Sequence, residues 1–229
     1  MVLSTRDLNR LLRQRAQAGG TVTAERLSGQ HCVAVGLDNE ATVELEGRAG
    51  DYFGALNKAA RIRLKGPAGR FAADTMSGGE LVIEGDAGAG LGFSLSGGTV
   101  VVKGSVAGRA GQMIKRGLIL IDGNVGDTSG LYALGGEIVV TGDAGDKTGD
   151  WIIAGRMYVG GKIASLGHNA TVVPLDADDE SRLASYFKAY GIQKDPAGFK
   201  KVAPLKVRPF YSGKEEPACQ GAPSGRQTS

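Results

Sequence analysis

Residues 85–104 read GDAGAGLGFSLSGGTVVVKG, and the same outline returns at intervals of 19 residues on both sides. Glycine stands at Gly47, Gly66, Gly85, Gly104, Gly123, Gly142 and Gly161 without a slip. A second series with this spacing is Gly79, Gly98, Gly117, Gly136 and Gly155. A third is Gly54, Gly92, Gly111, Gly130 and Gly149, with Ala73 and His168 at its two remaining places. Two apolar residues precede each glycine of the first series: Val43/Leu45, Ile62/Leu64, Leu81/Ile83, Val100/Val102, Ile119/Ile121, Ile138/Val140 and Met157/Val159. Self-similarity at a fixed period marks a fold built from repeats.

The two apolar residues lie two apart, so their side chains share one face of a short strand. The residue between them is charged at Glu44 and Arg63, which reads as inside/outside alternation. A small or aliphatic residue follows each glycine by two: Ala49, Ala68, Ala87, Val106, Val125, Ala144 and Ile163. Each unit is therefore a strand, a glycine corner, a short segment, a second corner and a third segment. A strand this short cannot bury itself. Stacked as coils of a right-handed parallel β-helix, each aliphatic side chain lies on its equivalent ~4.8 Å away, and the coils make a rod roughly 30 Å long. Glycine recurs because corners need backbone angles that a Cβ opposes, or because coils approach closely there. A positive φ is the expectation at Gly104 and Gly123.

Two other repeat folds fit poorly. A left-handed hexapeptide helix needs an apolar anchor about every six residues. Calcium-binding nonapeptide coils need a fixed aspartate, whereas the position after the first glycine reads Arg48, Pro67, Asp86, Ser105, Asn124, Asp143 and Lys162. The expected class is all-β: a right-handed parallel β-helix of about seven 19-residue coils with a short N-terminal helix, a C-terminal capping helix and an extended C-terminal arm. The expected division is 1–27 for the amphipathic helix and linker and 28–175 for the β-helix. Residues 176–191 form the capping helix, 192–211 a partner-binding arm and 212–229 a disordered tail.

The flanks carry their own signals. Over 5–18, Leu8, Leu11 and Leu12 make a helical stripe, with Ser4 or Thr5 as cap and Gly19–Gly20 as terminator. This helix docks on its own rod or on another subunit. Short strand-like pieces, His31–Val35 and Ala41–Leu45, lead into the first coil, and the coils run to about Val173. Pro174 ends the last strand, and Asp176 or Asp178 caps a helix through Tyr190, with Gly191 just past its end. Its stripe of Leu183, Tyr186, Phe187 and Tyr190 suits a plug for the C-terminal end of the rod. In 192–211, prolines break any helix while Phe199, Val202, Leu205, Phe210 and Tyr211 offer anchors.

The 229 residues carry 38 glycines, which the repeat explains without disorder, and a net charge of +3. Residues 1–20 hold +3 and residues 194–229 hold +4, which leaves −4 on the body. Basic ends on a mildly acidic rod suit acidic partners. No basic stripe is interleaved with aromatics, so nucleic-acid binding is not expected. Two unpatterned cysteines, Cys32 and Cys219, suit a reducing compartment. The start MVLSTRDLNR lacks a signal-peptide core, and the longest apolar run, near Leu118–Ile121, is far short of a membrane span. A soluble, cytoplasmic protein is the expectation.

No catalytic, cofactor-binding or metal-binding residue is assigned on this chain. The histidines, His31 and His168, are remote in sequence from a cysteine partner, and His168 occupies a glycine place of the repeat. Ser77, Ser94 and Ser96 sit in repeat-equivalent turns without a general base. Asp122, Asp127, Asp143, Asp146 and Asp150 could line a groove and do acid/base work as in β-helical polysaccharide-cleaving enzymes, but turns favour aspartate for local hydrogen bonds. The glycines recur with strands on both sides, unlike a dinucleotide-binding fingerprint.

The units at 85–104 and 123–145 (GNVGDTSGLYALGGEIVVTGDAG) resemble the glycine-patterned β-helix at the C-terminal end of the glutamate synthase large subunit. The module is also similar to the β-helical subunit of formylmethanofuran dehydrogenase and to its formyltransferase/hydrolase relative. GQHCVAVGLDN (29–39), YVGGKIASLGHNA (158–170) and the arm at 199–211 resemble the free-standing subunit of the N-methylglutamate synthase (methylamine–glutamate N-methyltransferase) type. The resemblance implies a structural subunit with no catalytic residue of its own. It implies a hetero-oligomer with an amidotransferase-like subunit and an FMN-binding glutamate-synthase-like subunit. FMN, and in such assemblies an iron–sulfur cluster, are expected on those partners. A subunit of a formyl-transfer complex for a C1 carrier and a stand-alone β-helical carbohydrate-active enzyme are the alternatives.

Overall fold

The computed structural model describes residues 4–17 and 21–206. Ten strands form one sheet: β1 (Thr21–Gln30), β2 (Thr42–Ala49), β3 (Arg61–Lys65), β4 (Ser77–Ile83), β5 (Gly97–Val102), β6 (Leu118–Ile121), β7 (Leu134–Val140), β8 (Ala154–Val159), β9 (Ala170–Val173) and β10 (Lys200–Pro204). Two helices flank it, α1 (Thr5–Gln17) and α2 (Ala177–Tyr190). Strands β1 to β8 pair in chain order and in parallel, so eight rungs enclose about seven turns of a parallel β-helix. The register puts like on like: Ile62 pairs with Leu81, Leu81 with Val100, Val100 with Ile119, and Ile119 with Ile138. The fourteen paired aliphatics of the repeat, from Val43/Leu45 to Met157/Val159, are all buried to 2% exposure or less. A second wall comes from the bridges Ala68–Ala87–Val106–Val125–Ala144–Ile163.

The glycine corners divide by cause. Gly98 has φ +81, a backbone state that costs an L-residue strain. Gly104 does not lie in that region, against the expectation of a positive φ there. Its constraint is space: a Cβ would stand 2.3 Å from the Asp86 Oδ1 and 2.9 Å from the Gly85 carbonyl carbon in the coil below. Gly123 is the same case, with a Cβ 2.5 Å from the Gly104 carbonyl oxygen. Left-handed backbone also recurs at residues without glycine's freedom: Tyr52, Phe71, Arg109, Thr128 and Lys147 all have positive φ. Each costs about 1–2 kcal/mol. Their N–H groups donate to the next coil, Tyr52 to Arg70 O at 2.8 Å and Arg109 to Asp127 O at 2.9 Å, which offsets the strain.

The ends depart from expectation. The first coil begins at Thr21, ahead of the expected boundary at residue 28, and His31–Val35 is a turn rather than a strand. Helix α1 lies on its own rod, with Leu8, Leu12 and Ala16 buried. The Ser4 hydroxyl caps it by accepting the Asp7 N–H at 3.2 Å. The Asn9 side chain donates to Cys32 O at 2.6 Å and accepts from Ala34 N at 2.8 Å, so an amide stands in for a further strand above the first turn. The expected terminator, Gly19–Gly20, lies outside the described residues.

Helix α2 has the expected bounds: Asp176 forms a capping box with Asp179, and Gly191 closes the far end at φ 67. Its place is a correction. It does not plug the rod but lies along the outer face of the sheet, where Leu183, Phe187, Tyr186 and Tyr190 pack on Val82, Val101, Leu118, Leu120, Val139 and Tyr158. The reason is the residue between the two inward aliphatics. It is charged in β2 and β3 but apolar from β4 to β8, and a second apolar face demands a second layer.

The arm at 192–211 is the second correction. Over its described part it folds back on its own chain, with Ile192, Phe199 and Val202 buried. Strand β10 enters between β8 and β9, antiparallel to both. The expected last coil strand, β9, is thereby displaced one place outward. Residues 207–211 and the expected disordered tail, 212–229, lie outside the described residues.

Candidate functional site

The ionisable residues weighed from the sequence serve the coil stack. Each of the five aspartates accepts a hydrogen bond from the next coil: Asp122 from Thr141 Oγ1 (3.0 Å), Asp127 from Asp146 N (2.8 Å) and Asp143 from Lys162 N (2.7 Å). Asp146 accepts from Ser165 Oγ (2.8 Å) and Asp150 from His168 N (2.8 Å). The position after the first glycine forms its own ladder. The Asp86 side chain takes the Ser105 N–H, Ser105 the Asn124 N–H, and Asn124 the Asp143 N–H, at 2.8–3.1 Å. The short polar side chains at that place are thus backbone acceptors.

His31 Nδ1 accepts the Asp51 N–H at 2.9 Å. Arg70, bonded to Asp51 through side chain and backbone, holds that carboxyl below the usual range. His168 does not occupy a glycine place. The bridge from Thr148 to Leu166 shows that the last coil is a residue short, so His168 stands over Asp150, 2.9 Å from its Oδ1, and stacks on Trp151 at 5.1 Å. Cys32 is exposed, and Cys219 lies outside the described residues. Ser96 Oγ donates to Met76 O at 3.3 Å, Ser77 opens β4, and Ser94 has a left-handed backbone. Among the described residues no group of three or more His, Cys, Asp and Glu could hold a metal ion.

Hollows among the described residues lie elsewhere. One residue from each of β1 to β8 pairs with the next in an unbroken row: Thr21, Thr42, Arg61, Glu80, Thr99, Leu118, Glu137, Arg156. Two hollows follow it. One of about 540 Å³ is lined by Arg61, Gly79 and Glu80, and one of about 460 Å³ by Thr99, Arg116, Gly136, Glu137 and Tyr186. The Tyr186 ring of α2 borders the second hollow.

Both carboxylates of the row are engaged by α2. The Tyr190 hydroxyl donates to Glu80 at 2.7 Å, and burial followed by this bond pushes its pKa up to about 12. The Tyr186 hydroxyl donates to Glu137 at 2.6 Å, and burial with that bond likewise raises its pKa. Arg182 Nη1 reaches the other oxygen of Glu137 at 2.7 Å. At the start of α2, Asp179 accepts from Tyr158 Oη and Lys201 Nζ, both at 2.6 Å. Burial raises this carboxyl, but Lys201, Tyr158 and the cap N–H of Asp176 outweigh it and leave the pKa at about 2. Lys103 Nζ donates to Tyr190 O, a cation at the negative end of the helix.

Sequence reasoning missed this polar seam. Its signal was the change from Glu44 and Arg63 to Val82, Val101, Leu120, Val139 and Tyr158 at the outward strand position.

No helix among the described residues is long and apolar enough to cross a membrane. No curated protein matches the chain. The family described as "GXGXG motif" matches residues 7–178, which takes in most of α1, every turn of the rod and the start of α2. The chain belongs to the GXGXG motif family.

Proposed function

We propose that this chain is a non-catalytic β-helical subunit of a glutamate-synthase-like multisubunit enzyme. Its specific form is N-methylglutamate synthase, which joins methylamine and glutamate. In this reading the rod holds an amidotransferase-like subunit and an FMN-binding synthase subunit at a set separation. FMN and any iron–sulfur cluster sit on those partners. The observation that carries the reading is the use of the coil aspartates: all five accept bonds that stitch one coil to the next. Side chains that hold a rod together favour a scaffold over acid/base chemistry along its corners, and the family match over most of the chain supports the glutamate-synthase-like setting.

The test is purification from the native host with an affinity tag on this chain. The expected result is co-elution with an FMN-containing chain and an amidotransferase-like chain, and N-methylglutamate formation only by the assembled set. A chain that stays monomeric beside those subunits, or that turns over substrate alone, overturns it. Co-elution with a metallo-hydrolase and a formyltransferase instead would assign it to the C1-carrier complexes.

A further inference from the structure

Strand β10 parts β8 from β9, but just past it the last two coils meet again. Trp151 N donates to His168 O at 2.7 Å, and Thr148 bridges Leu166. A chain that follows β10 has no room between the coils there. It cannot turn inward either, where Ile152, Ala170 and Val202 fill the core. Leu205, 63% exposed, and the exposed Lys206 already lie at the surface.

One side chain fixes the exit. Asn169 Nδ2 donates to Ile152 O at 2.6 Å and to Lys206 O at 3.0 Å, and Asn169 Oδ1 accepts the Lys206 N–H at 3.1 Å. Asn169 follows His168 and Ile152 follows Trp151 in the chain. The chain therefore leaves the sheet beside the stacked Trp151 and His168 rings, 5.1 Å apart. Three large side chains flank that stack, each 38–41% exposed: Tyr132, Leu134 and Leu166. Tyr132 N donates to Asp150 O, Leu134 pairs with Ala154, and Leu166 bridges Thr148, so all three lie on the coils that border the exit. A contiguous apolar and aromatic surface of this kind marks a place of contact.

The sequence that follows Lys206 is VRPFY, residues 207–211. Val207, Phe210 and Tyr211 supply apolar and aromatic groups, and Pro209 favours an extended backbone. Beyond Tyr211 the sequence holds no aromatic residue and no Val, Ile, Leu or Met. Five extended residues span about 16 Å, enough to pass from the last coil over Trp151 to Tyr132, one coil of ~4.8 Å back.

We propose that residues 207–211 dock on this surface of their own chain, with the rings of Phe210 and Tyr211 packed among Tyr132, Trp151 and His168. Aromatic rings brought together this way gain from their mutual geometry as well as from burial. The tether decides the occupant. A segment that leaves the sheet at the edge of the surface is there at a high effective concentration, ahead of a second copy or a partner chain. The arm then covers the last coils of the rod as α1 covers the first. That contact is internal to the chain and stands independently of the scaffold reading.

Trp151 is the single tryptophan, so intrinsic fluorescence reports on this place alone. The native full chain is compared with the full-length double variant Phe210→Ser/Tyr211→Ser. In the variant, Trp151 emission should move to longer wavelength and acrylamide quenching should rise about twofold or more, with the far-ultraviolet circular dichroism unchanged. A second measurement needs no variant. Chymotrypsin should cut the native chain after Phe210 and Tyr211 about tenfold or more slowly than it cuts a free peptide of residues 205–216, with mass spectrometry identifying the site. Equal quenching in native chain and variant, or cleavage as fast as in the peptide, overturns the proposal. So does shielding of Trp151 that appears only as the chain dimerises or only when partner subunits are added, because it gives the surface to a second copy or to a partner. In each of these cases the scaffold reading stands, since co-elution tests it separately.

Discussion

The outward face of the sheet is two surfaces on one backbone. In β2 and β3 the outward strand residue is Glu44 or Arg63, and the face meets water. From β4 to β8 it is Val82, Val101, Leu120, Val139 or Tyr158, and the face lies under α2. Register and coil length are the same in both halves, since Arg63 pairs with Val82, Val82 with Val101, and Val101 with Leu120. The inward residues therefore specify the rod, and the outward residue alone specifies whether a second layer covers it. The covered half gains apolar burial and must then satisfy a polar seam. The bare half needs neither.

The strongest way to break this distinction is to put a charge beneath the helix. Leu120 is fully buried between sheet and helix. Leu120→Lys is expected to cost about 3–5 kcal/mol, because no partner awaits the ammonium there. The rod's inward stack is untouched, so hydrogen exchange should rise across α2 and the outer-face residues while the amides of β2 and β3 stay protected. Unchanged protection of α2 would remove the two-layer account. Phe187→Ala asks the same from the helix side. Phe187 is 3% exposed and its ring lies 5.2 Å from that of Phe199. The expected loss is about 3 kcal/mol, read from denaturant unfolding, with β10 loosened along with α2.

The polar seam gives the covered half a pH dependence. The folded pKa of Asp179, about 2, lies below the ordinary carboxylate value of ~3.9. A depressed folded pKa means the contribution is complete above ~pH 4 and is lost as pH falls toward 2. It is on the order of 2 kcal/mol. Asp179→Asn should abolish that acid-dependent part while leaving Tyr158 a hydrogen-bond partner. An acid-unfolding curve that is identical in wild type and variant would show that the carboxylate is not what fixes the helix start.

Much of this was legible. The inward pairs and the periodic glycines define the coils, because both periods are imposed by local geometry. Asp176 and Gly191 bound α2, because capping is local too. The place of α2 was legible only from the outward residue, which reads Glu44 and Arg63 in the first strands and turns apolar from Val82 onward. The insertion of β10 was not legible. Val202 finds Met157 and Val172 through contacts distant in sequence, and KKVAP carries no mark of its partners. The left-handed residues Tyr52, Phe71, Arg109, Thr128 and Lys147 were equally hidden, since nothing about those side chains favours the conformation that cross-coil bonds impose on them. The bonds from α2 to Glu80 and Glu137 were not legible, because they depend on where α2 lands.

The smallest expected effect sharpens the comparison from the bare side. Arg63 is 55% exposed and paired with Glu84 on the next coil. A surface pair of this kind is worth little, so Arg63→Leu should change stability by less than about 0.5 kcal/mol. Its consequence lies in association. The substitution extends the outward apolar row beyond Val82 into a strand that α2 does not reach, and an uncovered apolar face invites another surface. Sedimentation should then show self-association that Arg63→Gln does not. If Arg63→Leu stays monomeric and equally stable, the charge at that place is incidental, and the limit of the covered half is set by the length of α2 rather than by the residue where it stops.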